Sequence, residues 1–185
     1  MQYLVTSGLK SADLPQGFRV IADGEAASLE QPWDFGTPVI ALVEKGADLA
    51  ALARPGVTAF LVEGALAPGE GRAFAIGAHK IRDAEAFKPY IARVPDVIAP
   101  YGCRYLARGG AVTPLGGAFE PERLVLMEFP DIDDVVSFYF SESYAPLLRI
   151  RLTATEPRFV LMMRHGALPD PARRAIAEGL ARNKA

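Results

Sequence analysis

His79, Glu128, Arg104 and Arg108 are of types that together could perform acid–base chemistry. Imidazole titrates near neutrality, a carboxylate can orient it, and a guanidinium can hold an anionic group of a substrate. Residues 72–79 read as a strand, with Phe74, Ile76 and Ala78 on one face and Ala75, Gly77 and His79 on the other. Residues 123–129 read as a second strand, nearly all apolar and therefore central. If the bulky Phe74, Ile76, Val125, Met127 and Phe129 face a helix layer, His79 and Glu128 fall on the opposite face. Arg104 and Arg108, from a strand at 103–108, join them there. His79, Glu128 and Arg104 then form a candidate catalytic set at one sheet edge, with Arg108 as a binding residue and space left by Ala75 and Gly77. The same residues admit a simpler reading: an Arg–Glu ion pair fixing adjacent strands, and a histidine satisfied at a strand end.

Three hydroxyl residues, Tyr139, Ser141 and Tyr144, could line the mouth of a pocket; equally, Tyr139 completes an apolar stripe, Ser141 caps a turn and Tyr144 packs beneath it. Cys103 is the single cysteine and lacks an evident base partner, so it reads as a small buried residue. One cysteine and two histidines offer no metal ligand cluster and no intrachain disulfide. No phosphate-binding glycine loop, zinc-protease helix or serine-hydrolase elbow is present, and no cofactor is expected.

The elements that must position these residues follow from periodicity. Asp83 is a helix N-cap, and Phe87, Tyr90, Ile91 and Val94 make one apolar stripe behind it, with Pro95 expected to bend or divide the helix. Pro130-Asp131 opens a second helix carrying Ile132, Val135, Val136 and Tyr139, interrupted near Ser141 and resumed at Leu147 and Leu148. A fourth strand spans 158–164. The order βαββαβ predicts an α+β, ferredoxin-like antiparallel sheet with its helices on one face. Asp170-Pro171 starts a terminal amphipathic helix that packs back on the body, giving a division into 1–66, 71–164 and 167–185.

Size and charge bound the partners. A chain of 185 residues, half of them apolar, builds a real core in one domain or two small packed ones. A net charge of −2 is poor for nucleic acid or an anionic membrane surface. The absence of a signal-like start and of a long apolar run points to the cytoplasm.

Three ordered motifs are familiar. Tyr101-Gly102-Cys103-Arg104-Tyr105-Leu106-Ala107-Arg108-Gly109-Gly110, then Pro121-Glu122-Arg123 to Glu128-Phe129, then Phe138-Tyr139-Phe140-Ser141-Glu142-Ser143-Tyr144 resemble the bacterial family called domain of unknown function 1330. The resemblance implies a subunit of the dimeric α+β barrel superfamily and no established reaction. Two departures stand out. Cys103 replaces the second glycine of the family's Y-G-G, and Leu115-Gly116-Gly117-Ala118-Phe119 lacks the acid of its L-E-G-D-W loop, which would weaken a site dependent on that acid.

The first 66 residues read as a worn copy of the same unit. Residues 19–24 precede the similar 104–109 by 85 positions, Leu29-Glu30-Gln31-Pro32-Trp33 resembles the missing acidic loop, and 38–44 echo 123–128. Only residues 9–16 separate the first two strands, too few for the first helix. Such a copy would cover within one chain the sheet face that the superfamily buries against a second subunit, although a homodimer through other surfaces remains compatible. The expected function is binding of a small organic molecule between the two sheets. The alternatives are a cofactor-independent isomerase, lyase or monooxygenase on a small carbonyl or aromatic compound, and a structural oligomer.

Overall fold

Alternating apolar residues build two five-stranded antiparallel sheets in this computed structural model, which describes residues 1–30, 36–117 and 119–184. The expected tryptophan loop at 31–33 and Ala118 lie outside the described residues. In chain order the elements are β1 (Gln2–Ser7), β2 (Phe18–Ala22), β3 (Ala26–Ser28), β4 (Val39–Val43), β5 (Thr58–Glu63), β6 (Ala73–Ile81), α1 (Ala84–Ile98), β7 (Arg104–Arg108), β8 (Val112–Gly116), β9 (Arg123–Phe129), α2 (Ile132–Tyr139), α3 (Ala145–Ala154), β10 (Thr155–Met163) and α4 (Asp170–Lys184). The first sheet runs β2-β4-β1-β5-β8 and the second β3-β10-β6-β9-β7.

Setting aside β3 and β8, each sheet has its own half's strands in the order fourth, first, third, second, which is the ferredoxin-like arrangement. The N-terminal half thus shares the strand order of the C-terminal one. Its crossovers carry only short 3-10 turns, Ser11–Asp13 and Ala50–Leu52, where the C-terminal half has α1, α2 and α3. The two strands missing from the sequence expectation are exchanged. β3 leaves the N-terminal half to pair with β10, Leu161 opposite Ala27, and β8 leaves the C-terminal half to pair with β5, Leu61 opposite Thr113.

Three apolar layers result. Between the sheets lie Phe60, Phe74, Ile76, Leu124, Leu126 and Met162, among others. Full burial of each such side chain contributes about 1.5–3 kcal/mol. Outside the second sheet, Met127, Phe129, Phe159 and Leu161 meet α1, α2 and α3, with Leu168, Ala172 and Ile176 packing α4 onto the same layer. Leu52, Val57 and neighbouring loop residues cover the first sheet. No helix among the described residues is long and apolar enough to cross a membrane.

This layering corrects the expected face assignment. β6 and β9 are antiparallel, and the register sets Phe74 opposite Glu128, Ile76 opposite Leu126, and His79 opposite Arg123. Directly paired residues share a face. Phe74, Ile76 and Glu128 therefore point between the sheets, while His79 and Arg123 point toward the helices with Val125, Met127 and Phe129.

Candidate functional site

The expected set of His79, Glu128 and Arg104 does not assemble. Because β9 is antiparallel to both β6 and β7, its C-terminal Glu128 meets Arg104 at the start of β7 and Phe74 near the start of β6. His79 lies five residues further along β6, about 16 Å away at strand spacing, and on the other face.

Glu128 is instead a fully partnered carboxylate, 1% exposed. It accepts from Arg104 Nη1 at 2.6 Å, Arg164 Nη2 at 2.7 Å and the backbone N–H groups of Gly69 and Gly71 at 2.9 and 3.1 Å. Those glycines belong to the segment joining the two halves. The ion-pair alternative fits this cluster, extended to a clamp on the connection.

His79 lines a different space, a cavity of about 20 Å³ between the second sheet and its helices. Gly77 makes room beside it, since a Cβ there would stand 3.2 Å from His79 Nε2. Phe87 of α1 meets the imidazole edge-on and stacks in turn on Tyr90. The ring is 2% exposed, and its Nδ1 has no hydrogen-bond partner among the described residues. Burial, with Arg151 and Arg123 nearby, holds its pKa well below the usual histidine value, so the imidazole is neutral.

Arg108 reaches this cavity because of a β-bulge. The register of β7 against β9 shifts between Tyr105 and Ala107, which turns Arg108 to the helix side, opposite Val125. Strand parity had placed it beside Arg104 on the inner face; the extra residue reverses that. Its Nη2 donates to the Ile91 carbonyl at 2.9 Å. That carbonyl is free because its helical partner four residues on is Pro95, which has no N–H. α1 nevertheless continues through Pro89 and Pro95 to Ile98 and is not divided.

Arg151 of α3 completes the group. It lies on the buried stripe of its helix with Leu147, Leu148 and Ala154 and is 0% exposed. Phe159, Tyr90 and Tyr144 surround its guanidinium at 4.9, 5.8 and 5.8 Å. Nη2 pairs with Glu30, which also accepts from the Tyr139 hydroxyl at 2.9 Å, while Nε and Nη1 have no partner among the described residues. Burial pushes the Glu30 carboxyl up, against the pull of Arg151. Desolvation opposes the charge on Arg151, but Glu30 and the surrounding tyrosines raise its pKa, so it stays cationic.

The other expected binding residues divide between roles. Tyr139 reaches Glu30, Tyr144 is buried with its hydroxyl 3.4 Å from that of Tyr90, and Ser141 donates to the Phe138 carbonyl and accepts from the Tyr144 N–H. Ser141 therefore shapes the break between α2 and α3. Burial pushes the Cys103 thiol up to about 12, which disfavours a thiolate. Arg123, Arg151, Tyr90 and Glu30 were not among the sequence candidates. An arginine four residues after Leu147, on an apolar helical stripe, was the readable signal for Arg151.

The cavity thus gathers three guanidiniums, from Arg108, Arg123 and Arg151, on aromatic and aliphatic walls, while Glu30, outside its lining, pairs with Arg151 from behind. Arg123 has its pKa lowered by burial and then by Arg108, as expected of crowded cations. Such a set can hold an anion next to a neutral imidazole.

The model of the family described as domain of unknown function (DUF1330) matches residues 72–165, just over half of the chain. A crystal structure from Lactobacillus acidophilus NCFM, described as a "putative monooxygenase", is similar at 10% sequence identity and a TM-score of 0.45, covering 88% of this chain and 91% of that one. No curated protein matches.

Proposed function

The chain belongs to the DUF1330 family, and from the chemistry of its cavity we propose that it binds a small organic anion between the second sheet and its helices. The location differs from the sequence expectation, since side chains fill the space between the sheets. The observation that carries the reading is the excess of guanidinium over carboxylate in a space walled by Phe138, Phe159, Tyr90 and Tyr105. An apolar wall with convergent charged groups suits a flat, apolar acid.

At about 20 Å³ the cavity holds no more than one water. Entry requires a wall to move. Arg108 is exposed and Arg123, Tyr105 and Ile91 are half-buried, so the mouth opens when Arg108 leaves the Ile91 carbonyl.

Benzoate and its neutral counterpart benzamide test the reading. Benzoate should raise the melting temperature in a concentration-dependent way and give a saturable calorimetric isotherm, while benzamide should do neither. No effect from either compound, or an equal effect from both, would overturn it.

A further inference from the structure

We infer that Arg151 is the residue that grips the anion, that Glu30 of the N-terminal half positions it, and that the chain carries one such site instead of two. The inference rests on the anion reading and deepens it.

Buried guanidinium N–H groups are normally satisfied. Among the described residues Arg151 leaves Nε and Nη1 without acceptors, and both belong to a side chain lining the same small cavity as the similarly unpartnered His79 Nδ1. One carboxylate oxygen could accept from Nε and the other from Nη1, in the paired geometry that guanidinium favours. His79 Nδ1 can donate to the same anion when it carries the ring proton.

Glu30 fixes the other end of that guanidinium, and its origin matters. It follows β3, the strand that crosses to pair with β10, so the N-terminal half delivers it to helices of the C-terminal half. The corresponding loop of the C-terminal half follows β8, which crosses the other way to pair with β5. Where the N-terminal half has Leu29 and Glu30, the C-terminal half has Leu115, Gly116 and Gly117, with no acid at those positions, and the sheet that β8 joins has only 3-10 turns in its crossovers. Nothing there corresponds to α3 and its arginine. Each loop serves the opposite half. The acid is therefore missing from the site that has also lost its helices, and retained at the site that kept them. The loss at 115–119 does not weaken the surviving site.

Full-length protein and benzoate provide the test. Replacing both partners leaves no buried charge, so the Glu30→Gln/Arg151→Met double variant should keep its denaturation midpoint close to wild type. Its affinity for benzoate should fall about 10- to 100-fold, the scale of lost hydrogen bonds to a charged group. In wild type, the ¹⁵N-detected Arg151 Nε–H signal should shift as benzoate is added, with one benzoate bound per chain. In Glu30→Gln that shift should shrink while Arg151 is still present.

Unchanged affinity in the double variant, an Nε–H signal that ignores benzoate, or two benzoates per chain would overturn this inference and leave the anion reading standing. Absence of benzoate binding in wild type would overturn both.

Discussion

At the scale of the residue, His79 is a titratable group held almost entirely out of water. Its folded pKa is depressed by burial, so below about pH 6.5 the unfolded chain takes up a proton that the folded chain refuses. The contribution of neutral His79 is complete above that pH and is lost as pH falls toward the folded value. Stability should drop by up to ~1.4 kcal/mol per pH unit through this window, and His79→Gln should flatten the slope. Urea unfolding between pH 7.5 and 5.5 measures it; an unaltered slope in the variant would assign the loss elsewhere. Asp23, held low by Ser11 and then His165, and Glu25, held low by Arg173, add their own loss only at more acid pH. The residue types of this site were legible in the sequence, but their grouping was not. Side-chain bulk suggested that Phe74 faces the helices, whereas in a protein with two buried sheet faces both sides of β6 are apolar, and only the register with Glu128 decides.

At the scale of the element, α1 and β7 are coupled by an irregularity in each. Pro95 frees the Ile91 carbonyl, and the bulge in β7 turns Arg108 to take it. Pro95→Ala would supply the missing N–H and compete with Arg108 for the same oxygen. A proline costs about 3 kcal/mol in a regular helix interior, but this one is already accommodated, so a gain of about 1 kcal/mol is expected on substitution. Benzoate should also associate faster as Arg108 is released, which stopped-flow mixing would detect; a slower association would mean that the latch does not guard the mouth. Periodicity located β6, β7, β9, β10 and the helices to within a few residues. It missed β3 and β8. Both are short, with Ala26-Ala27-Ser28 small throughout and Val112–Gly116 containing Pro114. Their strand character comes from the edges they join, not from alternation of their own.

At the scale of the whole molecule, the sheet face expected to seek a second subunit is already covered by the N-terminal half. Glu128 ties that arrangement together by holding the connection at Gly69 and Gly71. Glu128→Gln should cost about 2–4 kcal/mol in chemical denaturation, because Arg104 and Arg164 lose their counter-charge and remain partly shielded from water. Benzoate affinity should stay within twofold of wild type, whereas a lost affinity with stability intact would return Glu128 to the binding site. The crossing of β3 and β8 also has a genetic meaning. When two identical subunits complete each other, every substitution is written twice, and neither acid nor helices can disappear from one site without disappearing from both. If the two halves arose as copies joined in one chain, that bond of symmetry is removed. Each half then inherits separately, and the N-terminal half is free to lose its helices so long as selection keeps one loop, one glutamate and a sheet for the other half to rest on.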